Sequence, residues 1–508
     1  MRQTLDPFKV QKKVNEKEVV DQSKKNNSNS TDVIIVGAGL SGICAAHYLQ
    51  DKCPGMTYHI FEARNAIGGT WDLFRYPGIR SDSDMFTLGY AFKPWKNPQA
   101  IADGPSILEY IKETAEESNI VDHIRYSHKV VSASWSSETC QWTVGVDDLS
   151  KDSEVFYQCK FLFLCSGYYD YEEGYTPEFK DVELFKGPVI HPQKWPNDFD
   201  YSQKKVVVIG SGATAVTIVP EMAKKASLVT MLQRSPTYII SVPDQDVIAN
   251  FFRKVLPPRW AYALVRWKNI LYSILFYAFS RKWPIGVKNF ILKEIRKKLG
   301  PDYDVEKHFS PSYNPWDQRL CLVPNDDLFD SIKEGKTEMV TDQIDKFAEK
   351  GIITQSGELI EADVIVTATG LNLKVFGGID VTVDGSLVKS SDLFCYRGSM
   401  FSSVPNLAFC FGYTNASWTL KCNLTCDYVC RLLNYMRKKG FEKCVPVMKE
   451  ESLSTEPLLN LNSNYILRSQ DDLPQQGSQM PWKLKQNYLY DLYIFKLSSF
   501  KDNALEFS

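Results

Sequence analysis

Two sets of small residues with the same spacing are the strongest chemical signal in this chain. Gly37, Gly39 and Gly42 follow the apolar run Asp32 to Val36, and Gly210 and Gly212, with Ala215 in third place, follow Lys205 to Ile209. Each set suits a strand that turns sharply into a helix. The first glycine permits the turn, the second lets a pyrophosphate approach the backbone, and the third small residue lets the helix pack on the strand. A phosphate there meets free N–H groups and the positive end of a helix dipole. Ala213 and Thr214, which open the second helix, belong to the same cradle.

The strands beyond the two loops end differently. Tyr58 to Phe61 reads as the next strand of the first unit and ends at Glu62, 20 residues past Gly42, where a carboxylate can take ribose hydroxyls. Leu228 to Leu232 is the matching strand of the second unit, and it ends in Gln233, Arg234 and Ser235 with no acid. An acid there would repel a 2′-phosphate, whereas Arg234 can bind one. The first cradle therefore suits the unphosphorylated adenosine of FAD, and the second suits NADPH. The bland alternative for Arg234 is a solvated charge at a strand end.

The elements that must position these loops recur later. Leu359 to Thr367 reads as one buried strand followed by Ala368, Thr369 and Gly370, and Phe161 to Cys165 followed by Ser166 and Gly167 has the same layout. Small residues at such strand ends let the chain pass a cofactor or turn between domains, which makes Thr369 and Gly370 cofactor-binding candidates. The expected fold is α/β with two Rossmann-like dinucleotide-binding domains, the NADPH domain inserted in the FAD domain. The expected divisions are a disordered tail over 1–31, a first FAD part over 32–170, an NADPH domain over 171–370 with a helical insertion over about 245–315, and a second FAD part over 371–508.

Composition narrows the function classes. A length of 508 residues is too great for one core. A net charge of −2 argues against nucleic-acid binding, and the residues before Asp32 lack the apolar core of a secretory signal. No apolar run is long enough for a transmembrane helix. Twelve cysteines form no dense framework; Cys422, Cys426 and Cys430 fall on one helix face without an accompanying histidine, so no metal site is expected. A reduced, cytosolic protein is the expectation. Between Phe251 and Gly300 stand twelve Lys and Arg residues and one acid, Glu294. This segment should be helical. It reads either as a subdomain shaping a substrate channel or as an aromatic, basic surface suited to peripheral contact with an anionic membrane.

Flavoproteins with two dinucleotide sites include disulfide reductases, which need a redox cysteine pair at the flavin. The segment Gly68 to Asp82, GGTWDLFRYPGIRSD, contains no cysteine. Through Gly68, Gly69, Trp71, Tyr76, Pro77, Gly78 and Asp82 it resembles a fingerprint of the class B flavoprotein, or Baeyer–Villiger, monooxygenases. Phe185, Gly187, His191, Trp195 and Pro196 resemble that family's second fingerprint; related N- and S-oxygenating enzymes usually carry Tyr or Phe at the Trp195 position. RYPGIRSDSDMFTLGY, PSYNPWDQRL and NASWTLK most resemble the ethionamide-activating and long-chain-alkane branch.

The resemblance implies that Gly69, Thr70, Trp71, Asp72 and Tyr76 contact the flavin nucleotide. It also implies a C4a-peroxide formed from NADPH-reduced FAD and molecular oxygen. Arg319 matches the family's catalytic arginine, a fixed cation for the peroxide anion, and Asp82 matches the acidic partner that orients it. Taken alone, Arg319 reads equally well as part of a structural ion pair. Gln318 stands where a basic residue often precedes that arginine. His191 titrates near neutrality, but on this linker it reads as a hinge or interdomain hydrogen bond rather than a general base. The implied reaction is oxygen insertion into a lipophilic ketone or oxygenation of a sulfur-containing substrate. Flavin-dependent alkane oxidation and a non-catalytic, membrane-associated redox sensor are the alternatives; intact Asp82 and Arg319 speak against the sensor.

Overall fold

The structure, a computed structural model, describes residues 29–449, 454–459 and 462–508. The tail expected over 1–31 lies outside the described residues as far as residue 28. Ser30 and Thr31 correct its boundary: they open β1 (Ser30–Val36), because their backbone pairs with Gln158 and Cys159. β1 turns into α1 (Leu40–Lys52), and β2 (Tyr58–Phe61) returns parallel to it. An antiparallel meander comes next, of β3 (His128–Ser136), β4 (Gln141–Asp148) and β5 (Ser153–Leu164). β5 belongs to two settings. Its polar first half pairs with β4, and its buried last residues, Phe161 to Leu164, pair parallel with β1. Continuous apolar sequence is what a parallel strand covered on both faces requires.

β6 (Tyr169–Gly174) leads across to the second unit. There β7 (Val189–Ile190), β8 (Lys205–Ile209), α2 (Ala213–Met222) and β9 (Leu228–Gln233) form a second strand–turn–helix–strand unit. Three helices, α3 (Val247–Val255), α4 (Pro258–Lys282) and α5 (Pro284–Leu299), precede β10 (Thr337–Thr341) and β11 (Val364–Thr367). The five strands form a wholly parallel sheet in the order β10-β9-β8-β11-β7.

The chain returns through β12 (Leu371–Leu373), antiparallel to β6, and β13 (Leu407–Phe409) joins β5 in the first sheet. The second dinucleotide unit is thus inserted in the first, with the β6–β12 ribbon at the crossing. α6 (Trp418–Lys439) packs on α1, burying Cys422, Cys426 and Cys430, and α7 (Tyr488–Leu497) packs on α6.

One expected strand is two. Leu359–Glu361 pairs antiparallel in a small three-stranded sheet, while Val364–Thr367 lies in the parallel sheet. The break falls at Ala362 and Asp363. Asp363 accepts the Lys205 backbone N–H through its carboxylate at 2.8 Å and donates its own N–H back to the Lys205 carbonyl at 2.8 Å.

Candidate active site

The carboxyl ends of β1, β2 and β5 open into one cavity of about 520 Å³. Ligands in open α/β sheets bind in this place, outside the strand ends. Gly37, Gly39, Glu62, Gly69, Thr70, Trp71, Asp82 and Arg319 all line it.

The first cradle is sterically committed to its small residues. A Cβ on Gly42 would stand 1.8 Å from the Gly37 carbonyl oxygen, so the start of α1 sits directly on the loop. Glu62 is buried beneath that loop. It accepts the Ala38 N–H at 2.8 Å and the Arg64 N–H at 3.0 Å. Burial pushes its carboxyl above the ordinary range, while the two N–H groups oppose the shift. Glu62 therefore holds the turn itself as well as facing the cavity.

The second cradle has the same plan. A Cβ on Gly210, at φ +136°, would lie 2.4 Å from the Ala368 oxygen, whereas Gly212 faces open space. Ser211 donates its hydroxyl hydrogen to the Ser235 carbonyl at 3.0 Å, closing the loop against the end of β9. Arg234 is exposed beside it and makes no ion pair among the described residues. Both cradles thus fit dinucleotides, with a free cation at the second.

The segment Gly68 to Asp82 joins the two units residue by residue. Gly69 passes Gly39 closely: a Cβ on it would lie 3.1 Å from the Gly39 Cα. Thr70 shares a 3.1 Å hydrogen bond with the Tyr171 hydroxyl, and Asp72 is held by Arg64 at 2.6 Å and Arg75 at 3.2 Å. Tyr76 packs against the apolar core of the second unit. Gly78 lies against Glu221 of α2, and Arg80 pairs with Asp327 at 2.6 Å. The segment ends at Asp82, which meets Arg319.

Asp82 and Arg319, 237 positions apart, touch through both carboxylate oxygens. The Arg319 Nη2 donates to Oδ1 at 3.0 Å and lies 2.9 Å from Oδ2. The Asp82 carboxylate keeps the guanidinium more firmly charged than an ordinary arginine; burial opposes this, and the Tyr465 and Tyr168 rings add to it. Arg319 remains 36% exposed, toward the cavity that it lines. Its loop is pinned by Asp317, which pairs with Arg281 at 2.6 Å.

The second fingerprint lies elsewhere. Phe185 is buried with Val207, Ile209 and Phe347, Gly187 passes beside the Asp363 carbonyl, and Trp195 packs edge-on to Phe199 and Tyr201. The His191 Nδ1 accepts the Gln193 N–H at 3.2 Å, so Nε2 carries the proton and donates to the Gly370 carbonyl at 3.1 Å. Burial holds the ring below the usual histidine range. The Thr369 hydroxyl donates to the Tyr175 carbonyl at 2.6 Å. His191, Thr369 and Gly370 gather at the β6–β12 crossing and are absent from the cavity lining.

Sequence reasoning missed several lining residues. Tyr168, Tyr169 and Tyr171 come after Ser166 and Gly167 at the end of β5, and their clustering beyond that strand end is the signal that could have found them. Trp418 of the NASWTLK run reaches the first cradle, donating its indole N–H to the Ser41 hydroxyl at 2.9 Å and stacking on Tyr168 at 5.4 Å.

Comparison with known proteins places this arrangement. A flavin-binding monooxygenase-like model matches residues 90–395, and an NAD(P)-binding Rossmann-like model matches residues 35–97. The chain is 53% identical to the FAD-containing monooxygenase EthA of Mycobacterium tuberculosis (strain ATCC 25618 / H37Rv) over 94% of this chain and 97% of that one. It is 47% identical to the probable FAD-binding monooxygenase AlmA of Acinetobacter baylyi over 94% and 96%. Among solved structures, an oxidized steroid monooxygenase bound to NADP superposes with a TM-score of 0.76 at 22% identity, covering 94% of this chain and 99% of the other. An ε-caprolactone-bound cyclohexanone monooxygenase gives a TM-score of 0.75 at 18% identity, covering 94% and 100%.

Proposed function

The chain belongs to the flavin-binding monooxygenase-like family and is an FAD- and NADPH-dependent monooxygenase; we propose that its substrate is a lipophilic ketone or a sulfur-containing compound, oxygenated beside Asp82 and Arg319. When bound, FAD and NADPH supply the oxygen-activating and hydride-donating chemistry. In this reading the first cradle and Glu62 hold FAD, and the Gly210 cradle holds NADPH with Arg234 on its 2′-phosphate. The observation that carries the proposal is the Asp82–Arg319 pair opening into the cavity of the first cradle.

Arg319 offers a permanent cation where negative charge develops on oxygen, since a guanidinium stays protonated at any physiological pH. Asp82 is the positioning residue: both of its carboxylate oxygens hold one guanidinium nitrogen, Nη2, and anchor that end of the group. Tyr76, Gly78 and Arg80 tie Asp82 to the nicotinamide unit, so movement of that unit is transmitted to the reacting end. His191 acts as a hinge contact at the crossing. For a ketone the balance is ketone, O2, NADPH and a proton giving ester, NADP+ and water.

Peripheral contact of residues 251–300 with a membrane belongs to the same proposal, supported by their excess of basic over acidic residues. No helix among the described residues is long and apolar enough to cross a membrane.

The test is product analysis with purified, FAD-loaded protein, NADPH, and a panel of 2-ketones, thioethers and an alkane. Ester or sulfoxide is expected. Alkanol formation with neither ketone nor thioether turned over would overturn the substrate reading, as would NADPH consumption yielding only hydrogen peroxide with every compound.

A further inference from the structure

α4 is apolar on two opposite faces. Its inner face is anchored: Arg266 Nη1 donates to the carbonyls of Phe86 and Gly89, each at 2.8 Å, and Asn269 donates to Asp84 at 2.9 Å. Ile270, also on the inner face, clusters with Tyr413 and Leu420, and Tyr413 lines the cavity. The outer face carries Trp260, Leu264, Trp267, Leu271, Leu275 and Phe279, all exposed, at steps of three or four residues. At 1.5 Å per residue this stripe runs for roughly 28 Å. The anchored inner face prevents the helix from rolling to bury it.

The neighbouring helices continue the stripe. In α3, Val247, Phe251 and Val255 are exposed at four-residue steps, Val247 by 78%. In α7, Leu489, Tyr493 and Leu497 repeat that spacing, Leu497 exposed by 73%, and the Tyr488 ring of α7 meets Trp267 of α4 at 6.0 Å. α3 and α4 are consecutive in the chain and α7 comes from far along it, and each presents an apolar stripe to water. Exposed apolar area of this extent marks a contact surface.

Charge identifies the occupant. Lys254, Arg259 and Lys282 flank the stripe and make no ion pair with an acid among the described residues. The only acid between Val247 and Gly300, Glu294, is engaged by Lys297. A second copy of the chain, docked symmetrically, would set these cations against themselves. An anionic lipid surface complements them, and tryptophan and tyrosine at the edges of apolar stripes suit the headgroup level.

We propose that the outer faces of α3, α4 and α7 together form a docking surface for an anionic phospholipid bilayer, with α4 lying along it. This surface sharpens the membrane contact proposed for residues 251–300, rests on it, and extends it to α7. α4 itself, with Ile270 and Tyr413 beneath it, then separates lipid from the cavity.

The experiment is co-sedimentation of the full, FAD-loaded chain with vesicles of phosphatidylcholine alone or mixed with phosphatidylglycerol. The variants are the triple substitution Trp260→Ser, Leu264→Ser, Leu275→Ser and, separately, Lys254→Ser, Arg259→Ser, Lys282→Ser. Unchanged flavin reduction by NADPH certifies that each is folded. The wild-type chain should sediment with the anionic vesicles and not the neutral ones, and the apolar triple variant should bind them at least tenfold less. Binding unchanged by the apolar triple but lost in the basic triple would overturn the stripe while leaving contact through 251–300 standing. Absence of sedimentation with either vesicle would overturn both. A dimer in solution that the apolar triple dissociates, without vesicle binding, would assign the face to a second copy and overturn the proposal.

Discussion

Arg234→Ala isolates one interaction, because Arg234 is exposed and makes no ion pair among the described residues. Its removal should leave the fold within about 0.5 kcal/mol of the wild type, as for a surface change that touches nothing else. Toward NADPH it should remove a charge-assisted contact to the 2′-phosphate, of about 1.5–3 kcal/mol, or roughly 10- to 150-fold in affinity. Solvent and salt screen an exposed arginine, which places the expectation near the lower end, about tenfold at physiological ionic strength. The assay is NADPH and NADH oxidation in parallel on the same preparation, with thermal unfolding as a control. The KM for NADPH should rise about tenfold and that for NADH should stay. An equal loss with both nucleotides, which leaves the ratio between them unchanged, would show that Arg234 makes no contact to the 2′-phosphate.

The cradle and the crossing lead to further outcomes. In Gly42→Ala the new Cβ would stand 1.8 Å from the Gly37 oxygen, so α1 must shift and the protein should purify with little flavin absorbance; full FAD content would contradict that packing. Burial depresses the titration of His47, His59, His191 and His308. For such a group the unfolded chain binds the proton first, so stability is lost as pH falls below about 6.5. Melting temperature measured against pH should decline there, and His191→Gln should flatten the decline; an identical slope in the variant would remove His191 from the account.

The parts of this site that are local in sequence are legible there. Each set of glycines lies in the same strand–turn–helix–strand unit as its strand-end residue, Glu62 in the first and Arg234 in the second, so periodicity and charge suffice to find them. Pairing across the chain is not legible. Nothing in the composition of Gly68 to Asp82 states that Gly78 lies against Glu221, that Arg80 reaches Asp327, or that Asp82 meets Arg319 from 237 positions away. Glu62 reads as a ribose ligand, and its hydrogen bonds to Ala38 and Arg64 add a role inside the turn itself. The run from Leu359 to Thr367 reads as continuous because its apolar content outweighs Asp363, whose bonds to Lys205 end one sheet and begin the other. In α4 the sequence shows abundant apolar residues, but only packing decides which of them face water.

We propose that Arg319, held by Asp82, serves oxygen transfer and not cofactor binding. Its most direct test is Arg319→Ala in two matched measurements: anaerobic flavin reduction by NADPH, and oxygenated product per NADPH consumed in air. Reduction should proceed near the wild-type rate while product disappears and hydrogen peroxide replaces it. Retention of ester or sulfoxide at wild-type yield would show that oxygen transfer does not depend on Arg319.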